Sequence, residues 1–155
     1  MKKALLLLVM ILSLFCPSLF AQAKAETIRI GMDKGDDAVV LNPYTATDSN
    51  SVIIMQNLYD GLFSYNGETS EASYALAVGH KVSEDGLTWT FTLRDASFSD
   101  GTAITSETFA ESWNYLVQGP LASNLDFVQR LDDGTLSLET PDSKTLVMHL
   151  VHPVA

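Results

Sequence analysis

The stretch TWTFTLRDASFSDGTAIT, residues 88–105, decides how this chain reads. Thr88, Thr90 and Thr92 alternate with Trp89, Phe91 and Leu93. That period of two sets one side of a strand against a core and the other toward solvent. Arg94 and Asp95 end the alternation. Ser99-Asp100-Gly101 is turn chemistry, with Gly101 free to take positive φ. Thr105 is placed to cap a helix, and Glu107 in its first turn favours the helix dipole. Phe109, Trp113, Leu116 and Val117 then recur at i, i+4, i+7 and i+8, which makes one buried stripe.

Toward the C-terminus, Gly119-Pro120 stops that helix and a less regular segment runs to Asp133-Gly134. Two strands are predicted over Thr135–Glu139 and Thr145–Val151, turning at Pro141-Asp142-Ser143-Lys144. Their pairing is expected to be completed by later sequence, which would leave exposed edges here. Toward the N-terminus, Gly79–Val82 and Leu87–Leu93 form a hairpin around Ser83-Glu84-Asp85-Gly86. A short strand, Leu62–Tyr65, ends at the turn dipeptide Asn66-Gly67. Before it, Asp48 or Ser49 can cap a helix carrying Val52, Ile53, Met55, Leu58 and Tyr59, stopped by Asp60-Gly61. Pro43 biases Asn42 away from helix, so Leu41–Tyr44 is extended or a turn. Thr27–Met32 alternates as a first strand, and Asp33–Asp37 is a polar loop. The pattern is mixed α and β, richer in short strands than in helices.

The N-terminus reads as an export signal. Lys2 and Lys3 precede an apolar run from Ala4 to Phe15, and Ala21-Gln22-Ala23-Lys24-Ala25 offers two small-residue cleavage frames. The run is shorter than the ~20 residues that span a bilayer, and Pro17 interrupts it. Cleavage is expected after Ala25, with Ala23 as second choice, giving a soluble exported product. Cys16, the single cysteine, is a candidate lipid acceptor, but Phe15 stands where lipoprotein signals want a small residue. A lone cysteine supports neither an intramolecular disulfide nor a multi-cysteine zinc site. Loss of residues 1–25 removes three of the nine basic residues and no acid; six then face nineteen acids, a net charge of −13. That balance argues against nucleic acid and anionic lipid as partners.

Other chemistry finds little support. His80, His149 and His152 are the histidines; no Cys or HExxH pattern accompanies them, so no metal or cofactor is expected. The serines lack a G-x-S-x-G setting, and Asp100 and Glu107 are explained by turn and helix-start chemistry, so no enzyme activity is expected. Trp89, Phe91, Phe98, Phe109 and Trp113 sit at strand and helix periods and read as core.

Five motifs then fall in order across Glu26–Ala155. They are Ile28–Met32 with Leu41-Asn42-Pro43; Leu58-Tyr59-Asp60-Gly61-Leu62; Ala75-Leu76-Ala77 with Val82-Ser83-Glu84-Asp85-Gly86; the block from Trp89 to Thr105; and Thr145–Leu150. Their order and spacing resemble extracellular solute-binding proteins of family 5, the oligopeptide- and dipeptide-binding receptors of ABC importers. Two positions depart from that pattern. Tyr74-Ala75 stands where a proline is usual, and His80 where tryptophan is favoured.

The resemblance implies a two-lobed periplasmic-binding-protein type II fold with an inserted subdomain, of which the chain is expected to hold only an N-terminal portion. On that basis residues 26–45 begin lobe one, 46–134 form the insertion, and 135–155 return to lobe one. It also implies a monomeric periplasmic receptor that captures short peptides and hands them to membrane permease subunits. The positions matching the family's main-chain peptide contacts are Thr47, Asp48 and Ser49. Extended-ligand pairing of this kind accepts many side chains, while helix capping by Asp48 and Ser49 is the competing explanation. Two other functions remain open at this stage. One is a receptor for a non-peptide solute such as a nickel complex or an oligosaccharide; the other is a small exported interaction module without solute binding.

Overall fold

The structure, a computed structural model, describes residues 40–154 together with Arg29 and Gly31. The export signal and the expected loop Asp33–Asp37 lie outside the described residues, as does the expected strand Thr27–Met32 apart from those two positions.

The alternating block forms the strand it predicts. In β4 (Thr88–Leu93), Phe91 and Leu93 are buried, while Thr92 is exposed. Strand β3 (Ala77–Val82) folds back on it through the Ser83–Gly86 turn, where Gly86 takes φ +72°. The strand begins two residues before the expected Gly79, because a bulge between Ala77 and Gly79 lets both ends keep their pairing with β4. The turn after β4 closes as the sequence requires. Gly101 has φ +89° and donates to the Phe98 carbonyl, and Thr102 N–H donates to Asp100.

The two final strands differ from expectation in position and in neighbours. Strand β5 spans Leu138–Asp142 and β6 spans Thr145–His149, in a sheet ordered β3-β4-β6-β5. Thr135 is held in a turn by Asp133, and Leu136 bridges Arg130, so the pairing stretch starts three residues late. Pro141 lies within β5, which its edge position tolerates because one side needs no donor. The turn shrinks to Ser143-Lys144, fixed by Asp142 accepting from Lys144 N–H and Thr145 Oγ. β6 also pairs with β4 along Thr88–Thr92, so strands from both sides of residue 134 share one sheet, and β5 stands at its edge.

One face of that sheet carries the core. Leu146 and Leu136 are fully buried beside Phe91, Met148, Val128 and Leu150. Helix α2 (Ser106–Leu116) packs against β5 and β6 with Phe109 buried and Trp113 and Leu116 partly so. Its cap is a box of two threonines: Thr105 Oγ accepts from Thr108 N–H, and Thr108 Oγ accepts from Thr105 N–H. Buried Ser106 ties the helix start to the β5–β6 turn by donating to the Asp142 carbonyl. The less regular segment after α2 contains one 3-10 turn, Ala122–Leu125.

A second, two-stranded sheet pairs β1 (Phe63–Tyr65) with β2 (Ala72–Tyr74). Asn66-Gly67 does not make a tight turn. The loop is longer, Asn66 accepts from Glu68 and Thr69 N–H, and the positive φ falls on Ser70. Phe63 stacks on Tyr74, and His80 stacks on Trp89 at 5.2 Å and 8°. Tyr74 Oη lies 2.7 Å from His80 Nδ1, so the imidazole keeps an aromatic contact at the position where tryptophan is favoured.

Helix α1 (Ser49–Leu58) buries Ser51, while Val52, Ile53 and Leu58 stay exposed. Its apolar residues do not converge on one stripe, so it contributes little to this core. Phe98, expected in the core, is also exposed. It lies in the turn between β4 and α2, beyond the alternating run that fixes which side faces inward.

Candidate functional site

The site is built from the turn that Pro43 imposes. The Asn42 carbonyl accepts from both Thr45 and Ala46 N–H, and the Asn42 side chain accepts from Tyr44 N–H at 2.9 Å. The closed turn aims the Tyr44 ring at α2. There its hydroxyl lies 3.0 Å from Ser112 Oγ, and its ring meets Tyr115 edge-on at 4.7 Å. Ala46 is buried, and the chain then runs out to the start of α1.

Thr47, Asp48 and Ser49 are all exposed. Asp48 is the N-cap, extended at φ −87° and ψ 150°, and its carboxylate accepts from Ser51 N–H at 2.8 Å. The Ser51 hydrogen bonds hold the Asp48 carboxyl below its ordinary value of 3.8. Ser51 Oγ in turn accepts from Val40 N–H, closing the segment 40–51 into a loop. Among the described residues, the backbone N–H groups of Thr47 and Ser49 have no partner. Capping by Asp48 is thus present. Ser49 does not cap; it is the first helical residue.

Beside this segment lies an open cavity of about 580 Å³. Pro43 and Tyr44 form one wall, Tyr59 and Asp60 another, and α2 a third with Glu111 and Tyr115. The sequence patterns did not single out this cavity. Its members come from segments far apart in the chain, and the available signal was a tyrosine directly after Asn42-Pro43.

The histidines are dispersed. His80 is in the aromatic stack, and His149 Nε2 lies 2.9 Å from Glu139 while Nδ1 faces Thr88 Oγ. Among the described residues no three His, Cys, Asp or Glu side chains cluster so as to hold a metal ion, and no helix is long and apolar enough to cross a membrane.

The family model for bacterial extracellular solute-binding proteins, family 5 Middle, matches residues 71–155, more than half the chain. The chain belongs to that family. Among curated family 5 relatives, the probable D,D-dipeptide-binding periplasmic protein of Escherichia coli K12 is 31% identical over 96% of this chain and 28% of its own length. The periplasmic murein peptide-binding protein of the same organism is 31% identical over 77% of this chain and 25% of its own. A solved structure of Haemophilus influenzae OppA with the peptide RPPGFSPFR superposes with a TM-score of 0.68 at 27% identity. It covers 74% of this chain and 25% of that one. The fold is therefore that of the OppA-type periplasmic binding proteins, and the chain spans about a quarter of the length of these relatives.

Proposed function

We propose that this family 5 chain serves the solute-binding component of an ABC importer, capturing oligopeptides or dipeptides outside the cytoplasm for delivery to membrane permease subunits. Relatives named for peptide binding support the ligand class. The site observation that carries the reading is the exposed segment Thr47–Ser49, where the N–H groups of Thr47 and Ser49, without a partner among the described residues, suit pairing with an extended backbone. Export by the cleaved N-terminal signal belongs to the same proposal. The domain plan, with 26–45 beginning lobe one, 46–134 as the insertion and 135–155 returning to lobe one, belongs to the same proposal.

Ser49→Pro tests the main-chain role directly. Proline is tolerated at the first helical position, and Asp48 already has the extended conformation that a following proline demands. The substitution deletes one N–H and leaves α1 standing. In the protein exported by its native host, peptide affinity should fall roughly ten-fold with the melting temperature held. Unchanged affinity would remove Ser49 from the site.

A second reading, a small exported interaction module, is favoured by one observation: the four-stranded sheet and α2 enclose their own core. It requires docking to an envelope protein with no solute bound.

A further inference from the structure

The cavity beside the turn has a chemistry that peptide main-chain pairing does not use. Tyr44, Tyr59 and Tyr115 place phenol rings on its walls, and Phe98, Phe109 and Trp113 add three more aromatic residues. Tyr44 is fixed at both ends of its ring, by Ser112 and by the edge contact with Tyr115. The charged groups of the lining are Asp60 and Glu111, and no lining residue is basic. Asp60 is partly balanced by Arg94 at 3.5 Å. Glu111 is exposed and has no ion-pair partner among the described residues.

Thr108, Glu111, Ser112 and Tyr115 stand at i, i+3, i+4 and i+7 of α2, so one helix face delivers the acid, the hydroxyls and a ring together. Aromatic faces attract cations through their quadrupole, and a nearby carboxylate adds to that field. A neutral ligand would gain only the apolar contact, and an anion would be repelled. The volume lies inside the ~300–1,000 Å³ range of small-molecule sites.

We propose that this cavity binds an organic cation on an apolar stem, the guanidinium or ammonium end of an arginine or lysine side chain. That the side chain arrives on a captured peptide rests on the function proposed above; the preference for a cation does not. The test is a titration of the 155-residue chain with N-acetyl-arginine amide and with its neutral isostere N-acetyl-citrulline amide, followed by amide NMR shifts. The arginine compound should move Glu111, Ser112 and Tyr115 and bind roughly three- to thirty-fold more tightly than citrulline. Glu111→Gln should shrink that ratio, while Glu107→Gln, on the same helix and outside the cavity lining, should leave it unchanged. Equal binding of both compounds, or shifts confined to other residues, would overturn the proposal. Peptides recovered from the exported protein together with a cavity silent to arginine would also overturn it, and would leave peptide capture standing. Cation binding without recovered peptides would keep the cavity and remove the peptide as the cation's source.

Discussion

Replacing Leu146 by alanine probes the sheet that supports the site. Leu146 lies in the central strand β6 with no exposed surface, opposite Phe91 of β4, which is 3% exposed. Truncation removes buried methyl groups and leaves a void that a closely paired central strand cannot collapse around. Such sites lose about 3–5 kcal/mol. Against a total of about 5–15 kcal/mol for a domain, that is a large share. With a urea slope near 1.5 kcal/mol/M, a 3 kcal/mol loss moves the unfolding midpoint of the full chain by about 2 M. Val147 supplies the control: its side chain points to the opposite face, across from Thr90, and is only partly buried. Val147→Ala should cost below about 1 kcal/mol. Urea titrations followed by far-UV circular dichroism distinguish the two. Equal losses, or a larger loss at Val147, would refute the register, because a one-residue slip exchanges the two faces.

Three further outcomes are expected. Thr105→Ala removes the Thr105 Oγ acceptor of the α2 capping box, keeps the backbone N–H that donates to Thr108, and should lower stability by about 1 kcal/mol in the same titration, with Thr105→Ser retaining most of it. The Asp48 carboxyl is held below 3.8 by Ser51, so its contribution to the α1 cap is full above that pH and is lost as pH falls through the lower folded value. An NMR titration of that carboxyl should show a midpoint below 3.8, and a midpoint at or above it would contradict the cap. N-terminal sequencing of the exported protein should begin at Glu26, or at Lys24 for the alternative frame; retention of Met1 would contradict cleavage.

Local chemistry made much of this fold readable. The threonine alternation located β4, Thr105 located the α2 start, and Gly86 and Gly101 marked turns that take positive φ. Periodicity reports which face of a strand is buried but not which strand lies beside it, so the non-local pairing of β4 with β6 was not legible. Pro141 read as a turn because proline opposes pairing, yet an edge strand accommodates it. Strand β2 is too short and too exposed to produce an alternation. At the site, the main-chain segment Thr47–Ser49 was reached by resemblance, and Asp48 showed its capping role from its residue type alone. The cavity escaped because Tyr44, Tyr59 and Tyr115 belong to three separate segments that only the closed Asn42 turn brings together.

Identification of what the exported protein carries tests peptide capture most directly. The protein is purified without denaturant from the envelope fraction of its native host, then unfolded, and the released small molecules are read by mass spectrometry. Short peptides in amounts comparable to the protein are the predicted result. A nickel complex, an oligosaccharide, or no released solute would contradict it.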